Sequence, residues 1–267
     1  MTDRRAQRST SQHGTSQRST SQRSTSQHGP GILAMWSAPR CRSTAFARMM
    51  AERGDYAVLH EPFSHVVDFG ESKVGERVAH TEGEVIDAIW AFARSRPLFF
   101  KDTTDFHYPG VLSDETFLAG PTHTFIIRHP AEAIASHHAL NPKLGRDEIG
   151  FAWLAEIYDA VVAATGHAPV VVDSGDLVER PRETVRAYCE AVRIPFLPEA
   201  LSWSAGMDEQ WQRTSRWHES TSRTTGFSPG TAVVDRDPVV TADPVLSGYL
   251  AYHLPYYERL RAVALKP

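Results

Sequence analysis

Short apolar runs alternate with longer segments of helical period through the middle of the chain. Five runs predict buried strands: the run beginning at Ile32, Tyr56 to His60, Leu98 to Lys101, Thr122 to Arg128, and Val170 to Asp173. Five segments predict helices: Ser43 to Arg53, Glu82 to Arg94, the segment beginning at Pro130, Ile149 to Thr165, and Arg180 to Arg193. This alternation predicts an α/β fold built on a doubly wound parallel sheet.

Three other segments have weaker patterns. Residues Asp68 to His80 are polar and predict a loop or lid, and Thr221 to Gly230 predict a second loop. Pro244 to Leu265 predicts a terminal helical region, which we expect to be interrupted near Pro255 because proline lacks a backbone donor. The chain has 267 residues, 41% of them hydrophobic, and so can bury one substantial core.

The first 29 residues differ from the rest, because they repeat Gln, Arg, Ser and Thr with no large apolar side chain after Met1. Such a segment cannot offset the entropy of ordering, so we expect residues 1–29 to be a disordered tail and residues 30–267 to form a single domain. A mis-assigned translation start or a nucleic-acid-binding arm are alternatives. The tail lacks the apolar core of a secretory signal peptide.

Charge and cysteine content narrow the class of protein. The tail holds five Arg and one Asp, a balance of +4, so with a total of −4 the remaining chain carries −8. That balance argues against a nucleic-acid partner. Two widely separated cysteines, Cys41 and Cys189, imply no disulfide framework and suggest a cytoplasmic protein. No apolar run is long enough to predict a membrane span. The sequence leaves the oligomeric state open.

A candidate anion site lies where the first strand meets the first helix, in ILAMWSAPRCRST from Ile32 to Thr44. The free N–H groups and dipole of a helix N-terminus attract anions, and Arg40 and Arg42 add positive charge beside them. The nucleotide loops GxxxxGK[ST] and GxGxxG are absent, which argues against ordinary ATP or NAD binding.

Other chemistry-bearing residues follow the later strands. Glu61 and Lys101 end two of them, and parallel strands end at the same edge of a sheet. Arg128 ends the fourth strand, and Ser136 lies about two helical turns beyond Pro130. His60, Glu61 and His65 do not have the spacing of a zinc motif, so we expect no metal.

Two of these stretches together resemble the sulfotransferases that use 3′-phosphoadenosine 5′-phosphosulfate (PAPS). The run Pro39-Arg40-Cys41-Arg42-Ser43-Thr44 is similar to the family's loop P-[KR]-S-G-[ST]-[ST] for the 5′-phosphosulfate. Arg128, Pro130 and Ser136 match the spacing of the family's 3′-phosphate motif, and Asp176-Leu177 resembles a later acidic-Leu pair. The likeness covers roughly residues 32–227 and departs from the pattern at Cys41, where Ser is usual, and at Arg42, where Gly is usual.

The resemblance implies a P-loop-like, nucleotide-binding transferase that uses PAPS as co-substrate and a small-molecule hydroxyl or amine as acceptor. The cofactor-binding residues it implies are Arg40, Cys41, Arg42, Ser43, Thr44, Arg128, Ser136 and Arg223, the last with Gly226 in a C-terminal loop. Arg40 would also stabilise charge during transfer, because an arginine cannot lose its proton.

The resemblance also suggests Glu61 as the general base, because the family's alternative, a histidine in Lys-Thr-His, is missing after Lys101. Glu61 could instead be a structural carboxylate paired with Arg40 or Arg42. His60, His65 and His107 remain substitute bases. Two other functions stay open: a nucleotide-dependent kinase of related fold, and a nucleotide-binding protein without turnover.

Overall fold

A computed structural model describes Met1, residues 31–227 and residues 237–267. The tail predicted for residues 1–29 therefore lies almost entirely outside the described residues, as does the end of the loop predicted at Thr221 to Gly230. The strands are β1 (Ile32–Ser37), β2 (Ala57–His60), β3 (Ser72–Val74), β4 (Arg77–Ala79), β5 (Leu98–Thr103), β6 (Thr122–Ile127) and β7 (Val170–Asp173).

Twelve α-helices are assigned among the described residues. They are α1 (Ser43–Glu52), α2 (Pro62–Phe69), α3 (Glu82–Ala93), α4 (Pro109–Ser113), α5 (Glu115–Ala119), α6 (Pro130–His138), α7 (Phe151–Thr165), α8 (Ser174–Glu179), α9 (Pro181–Ala191), α10 (Glu219–Ser222), α11 (Asp237–Ala242) and α12 (Pro244–Ala262). Short 3₁₀ helices cover Asp147–Ile149, Pro198–Leu201 and Glu209–Trp217.

The central sheet has five parallel strands in the order β2-β5-β1-β6-β7. Strand β1 lies in the middle, and the chain winds outward from it in both directions. The prediction of a doubly wound parallel α/β sheet is confirmed. Because all five strands run the same way, their carboxyl ends form one edge, where open α/β sheets bind ligands.

Alternate side chains of β1 enter two separate cores. Ala34 and Trp36 belong to the larger core, which α3 and α7 cover, whereas Leu33 and Met35 belong to the smaller core, which α1 and α9 cover. Every residue of β1 is buried. This two-sided burial explains why the strand appears in the sequence as a continuous apolar run rather than as an alternating one.

Two secondary-structure predictions were wrong. The lid predicted at Asp68 to His80 contains the antiparallel pair β3–β4, because buried Ser72, Val74 and Ala79 anchor it to the protein. Helix α12 continues through Pro255 and is not interrupted there. No helix in the described ranges has the length and apolar character needed to cross a bilayer.

Candidate active site

A cavity of about 280 Å³ opens at the carboxyl edge of the central sheet. The segments that follow β1, β2, β5 and β6 line one side of it, and the chain from the 3₁₀ helix Glu209–Trp217 to Phe227 lines the other. Most of the predicted site residues line this cavity: Arg40, Arg42, Ser43, Thr44, Glu61, Arg128 and Ser136. The cavity therefore joins parts of the chain that lie far apart in sequence.

The turn between β1 and α1 has an unusual backbone. Arg40 and Arg42 both adopt positive φ, 66° and 68°, a conformation that residues with a side chain rarely take. At Arg42, where the resembling family has glycine, the side chain leaves the turn and donates to the carbonyl and hydroxyl of Ser174 at 3.2 and 3.3 Å. The extra side chain is thus accommodated beside the loop.

Helix α1 begins directly at this turn, at the cavity wall. No side chain of the described residues caps its N-terminus, and no acidic residue lies in its first turn. Ser37 donates from its hydroxyl to that of Ser43 at 2.9 Å and fixes the first residue of the helix. The positive end of the helix dipole therefore faces the cavity without a protein carboxylate to neutralise it in that turn.

Arg40, Arg128 and Ser136 meet although two different strands carry them. Arg40 donates from Nε to the Ser136 hydroxyl at 3.2 Å and from Nη1 to the Trp217 carbonyl at 2.6 Å. Arg128 donates from Nη1 to the Arg40 carbonyl at 3.1 Å. Since β6 is the direct neighbour of β1 in the sheet, the two motifs form one cationic surface.

Glu132 orients the Arg128 guanidinium. Nε and Nη2 of Arg128 donate to one Glu132 oxygen at 2.8 and 2.6 Å, and Arg42 lies 3.8 Å from the same oxygen. Partial burial by itself would raise the pKa of Glu132, but the two arginines outweigh it and hold the pKa below its usual range. The carboxylate is therefore ionised and keeps the fork of Arg128 in one plane.

Two predicted residues lie away from the main cavity. The Cys41 side chain is fully buried, and burial raises the pKa of its thiol to about 12, so only its backbone faces the loop. The Arg223 side chain is 79% exposed and lies 3.4 Å from Glu219. It lines an adjoining cavity of about 810 Å³, which shares Arg40 and Ser136 with the first.

Glu61 lies between β2 and α2, also at positive φ, 52°. The Lys101 ammonium donates to Glu61 Oε1, and His60 Nε2 lies 3.4 Å from Oε2. Burial would raise the pKa of Glu61, but the positive charge of Lys101 and the contact with His60 outweigh it and hold the pKa well below its usual range. The partner of Glu61 is thus Lys101 rather than Arg40 or Arg42.

A histidine that was not predicted also lines the cavity. His218 is buried, lies 3.3 Å from the Thr44 hydroxyl through Nδ1, and lies 3.1 Å from His60 through Nε2. Burial, with His60 and Lys101 beside it, lowers the pKa of His218 to about 2, so its imidazole is neutral near pH 7. His60 itself does not line the cavity.

The two other histidines considered as bases lie elsewhere. His65 packs against Phe69 with ring centroids 5.4 Å apart and is absent from the cavity wall. His107 contacts Glu156 at 2.9 Å on the surface.

His60, Glu61 and His218 each offer a donor atom, and these atoms lie within 4.8 Å of one another. The Lys101 ammonium on Glu61 places a positive charge beside them, which disfavours a divalent cation there.

A sequence comparison decides the family. The family model described as "Sulfotransferase domain" matches residues 31–264, which is most of the chain. The chain belongs to the sulfotransferase family. The match to this sulfotransferase spans both the loop after β1 and the Arg128–Ser136 segment.

Curated relatives of this sulfotransferase carry a different name. The chain is 28% identical over 239 residues to "Branched-chain-amino-acid aminotransferase-like protein 2" of Arabidopsis thaliana, a match that covers 86% of this chain and 41% of that protein. It is also 28% identical over 208 residues to "Branched-chain-amino-acid aminotransferase-like protein 1" of the same plant, covering 74% of this chain and 37% of that protein. The chain therefore spans about two-fifths of their length.

Two solved structures are similar at low identity. One is "Sulfotransferase Domain from the Curacin Biosynthetic Pathway", with 14% identity, a TM-score of 0.42, and coverage of 80% of this chain and 98% of that one. The other is "Sulfotransferase Domain from the Synechococcus PCC 7002 Olefin Synthase", with 15% identity, a TM-score of 0.44 and 91% coverage of both chains.

Several cavity residues of this sulfotransferase escaped the sequence analysis. Ser64, Asp68 and Asp105 line the cavity in addition to Glu61, and His218, from a distant segment of the chain, lies close to Glu61. Asp105 follows β5 just as Glu61 follows β2, so its position after a strand was a signal that could have identified it. Nothing in the sequence links His218 to Thr44, because 174 residues separate them.

Proposed function

We propose that this sulfotransferase moves a sulfuryl group from PAPS to a hydroxyl or amine of a small-molecule acceptor. The observation that carries the proposal is the meeting of Arg40 with Ser136 and Arg128 at the edge of the sheet. A nucleotide with phosphates at both its 3′ and 5′ positions needs two separate anion sites in reach of each other. Guanidinium groups suit such sites because they bind phosphate oxygens in pairs.

The first anion site is the start of α1. Its uncapped N–H groups and the hydroxyls of Ser43 and Thr44 fit the 5′-phosphate. Arg40 is placed to stabilise the charge that builds on the bridging oxygen as the sulfuryl group leaves. Because Arg40 donates to Ser136 and to the Trp217 carbonyl, it must exchange one of these hydrogen bonds for the phosphosulfate.

The second anion site consists of Arg128 and Ser136, which fit the 3′-phosphate. Glu132 already accepts two hydrogen bonds from Arg128, so it fixes the direction of the fork and also competes with an incoming phosphate. Arg223, beside the adjoining cavity, would add charge from the C-terminal segment once it moves off Glu219.

Glu61 is the proposed general base. PAPS, when bound, supplies an activated sulfuryl group, and the protein must take a proton from the acceptor hydroxyl as that group is transferred. The Glu61 carboxylate is ionised and lines the cavity, and Lys101 holds one of its oxygens in place. Its low pKa makes it a weak base toward the free alcohol, so proton transfer would come late, when the developing sulfate ester has acidified the hydroxyl. The neutral imidazole of His218 is the second candidate.

Calorimetric titration with adenosine 3′,5′-bisphosphate, ATP and AMP tests the donor. Tight binding of the bisphosphate alone would support PAPS, whereas a preference for ATP would favour a kinase of related fold.

Replacement Glu61→Gln tests turnover: transfer should collapse while affinity for the bisphosphate survives. Unchanged transfer in Glu61→Gln together with collapse in His218→Asn would make His218 the base. A protein that binds the bisphosphate but transfers nothing to any alcohol or amine would be a nucleotide-binding protein.

A further inference from the structure

The two sides of the main cavity carry different ionisable groups. Arg40, Arg42 and Arg128 follow the neighbouring strands β1 and β6. Carboxylates come instead from the other half of the sheet, where Glu61 follows β2 and Asp105 follows β5. The sheet order therefore divides the cavity into an arginine side and a carboxylate side.

Only one carboxylate on that side has a close cation. Lys101 contacts Glu61, whereas no arginine, lysine or histidine of the described residues lies within 4.0 Å of Asp68 or Asp105. Arg213, which lies near this side, contacts Glu71 at 3.6 Å and stacks on Phe69. The carboxyl groups of Asp68 and Asp105 thus have no ion-pair partner among the described residues.

Among these carboxyl groups, Asp105 gives the main evidence about the ligand. It lines the cavity, yet its Oδ1 is buried and has no hydrogen-bond partner among the described residues. Burial, together with the negative charge of Glu61, raises the pKa of Asp105 to about 7, although Thr103 offers a compensating hydrogen bond. A buried acceptor oxygen without a donor is unfavourable, and a ligand donor would relieve that cost once the Asp105 side chain turns this oxygen toward the cavity.

Asp68 extends the same charge outward to the mouth of the cavity. It is exposed on α2, and partial burial and the charge of Glu61 raise its pKa, while Arg216 acts in the opposite direction. Arg216 stacks on the ring of Trp217 at 4.4 Å. An entering ligand with positive charge would therefore meet Asp68 first and Asp105 deeper inside.

We propose that the acceptor of this sulfotransferase is an amino alcohol, whose protonated amine binds Asp105 while its hydroxyl faces Glu61. This inference rests on the proposed function, because it places the donor nucleotide on the arginine side of the same cavity. A carboxylate or phosphate group on the acceptor would meet repulsion from Asp68 and Asp105. A neutral alcohol would leave Asp105 Oδ1 without a donor.

The protonated amine anchors the acceptor and does not react. An ammonium has no lone pair, so the hydroxyl oxygen attacks the sulfur. The new bond joins that oxygen to sulfur, the bond between sulfur and the 5′-phosphate oxygen breaks, and adenosine 3′,5′-bisphosphate leaves with the electron pair. Glu61 takes the hydroxyl proton.

Two matched series of probe compounds test the inference. The phenols are tyramine, 4-ethylphenol and 3-(4-hydroxyphenyl)propanoate, and the aliphatic alcohols are 4-amino-1-butanol, 1-pentanol and 4-hydroxybutanoate. The members of each series have similar size and differ chiefly in the charge at the end far from the hydroxyl. Calorimetry gives the affinity of each probe with and without adenosine 3′,5′-bisphosphate, and radiolabelled PAPS gives transfer to each. In at least one series we expect the amine to bind about tenfold or more tightly than the neutral probe, and the carboxylate to bind least.

Amino-acid substitutions test whether Asp105 causes the preference for the amine. Asp105→Asn should remove most of the preference for the amine, Asp68→Asn should reduce it a little, and Asp87→Asn, which removes an exposed carboxylate on α3, should leave it unchanged. Equal or weaker binding of the amine in both series, or a preference that survives Asp105→Asn in folded protein, would overturn the inference.

Titration with the bisphosphate separates the two proposals: if the bisphosphate binds while the protein shows no preference for the amine, only the acceptor class is wrong. If it does not bind, the proposed function fails whatever the probes show.

Discussion

The arginine side and the carboxylate side of the cavity are built in different ways. On the arginine side, the residues come from two compact motifs, Pro39 to Thr44 and Arg128 to Ser136, on neighbouring strands. On the carboxylate side, Glu61, Asp68 and Asp105 come from separate segments, and each has a different set of partners. The first side is the proposed site of the donor nucleotide, and the second is the proposed pocket of the acceptor.

This difference reflects what each side has to bind. A phosphate always presents the same oxygens, so one arrangement of helix N-terminus, hydroxyl and guanidinium serves for it, and a short motif can encode that arrangement. An acceptor has its own shape and charge, so the residues around it can come from any loop at the sheet edge. Within one cavity, the donor side is therefore easier to recognise than the acceptor side.

The largest effect is expected from Arg40, the arginine nearest the reaction. Replacement Arg40→Gln should lower the rate of transfer from PAPS to tyramine about 10²- to 10³-fold, because a charge aimed at the leaving oxygen is lost. Arg40→Lys, the matched control, should retain more activity because it keeps the positive charge. A glutamine variant as fast as the wild type would show that the arginine side contributes binding surface only.

A smaller loss is expected at the second anion site. Arg128→Gln should weaken binding of adenosine 3′,5′-bisphosphate about 10- to 100-fold and leave AMP almost unaffected, because AMP lacks the 3′-phosphate. Glu132→Gln serves as the control, since it removes the partner of Arg128 and keeps the cation. Equal losses for both nucleotides in calorimetry would contradict the assignment of Arg128 to the 3′-phosphate.

Asp102, which is buried and does not line the cavity, should matter for stability. Its oxygens accept hydrogen bonds from the backbone N–H groups of Phe63 and Ser64 at 2.6 and 3.2 Å and so hold the start of α2, and from Thr103 N–H at 2.9 Å. Asp102→Asn should cost about 2 kcal/mol in urea unfolding, because the amide turns an N–H toward one of these donors. A stability equal to the wild type would show that α2 needs no such cap.

Asp105 should make the free energy of unfolding depend on pH. Folding raises the pKa of Asp105 from 3.8 to about 7 through burial, so between these values the folded protein holds a proton that the unfolded chain releases. The contribution of Asp105 to stability should therefore fall as the pH rises from about 4 to about 7. Asp102, whose pKa burial also raises to about 7, acts in the same direction, whereas buried histidines such as His218, whose pKa is lowered to about 2, act in the opposite direction. Asp105→Asn should remove its own contribution, measured as the difference from the wild type in the free energy of unfolding at pH 5 and pH 8. An unchanged slope would mean that Asp105 is well solvated.

The smallest effect concerns the backbone of the arginine side. Arg42 and Arg193 both adopt positive φ, 68° and 59°, but only Arg42 lines the cavity. Arg193→Gly should stabilise the protein by about 0.5 kcal/mol without altering nucleotide binding, because glycine takes this conformation easily. Arg42→Gly should gain the same backbone relief and lose affinity for the bisphosphate several-fold. If both variants bind it equally well, the Arg42 charge plays no part in binding.

The fold could be predicted largely because the apolar pattern is a local property. The strands β1, β5 and β6 are buried on both faces, so each appears as an apolar run that the sequence displays directly. The β3–β4 pair was missed because its strands have three residues each and alternate with polar side chains. The continuation of α12 through Pro255 was missed because tertiary packing can outweigh the tendency of proline to end a helix.

The same distinction between local patterns and tertiary contacts applies to the candidate site. The loop after β1 and the Arg128–Ser136 spacing are short-range patterns. Glu61 follows β2 as predicted, whereas Lys101 does not end its strand, because β5 continues to Thr103 beside β1. The sequence could not show that Glu61 contacts Lys101 rather than an arginine, because the partner depends on which strand is its neighbour, and β5 lies beside β2.

The sequence by itself determined the family, the doubly wound sheet and the two motifs to which we assign the phosphates. It could do so because hydrophobic periodicity and motif spacing are properties of residues that lie close together in the sequence. Only the tertiary structure decided which side chains share the cavity: that His218 meets Thr44, that Cys41 faces the core, and that Asp105 carries a buried oxygen without a donor. Those facts depend on contacts between distant segments, and such contacts are fixed by how strands and helices pack together in space.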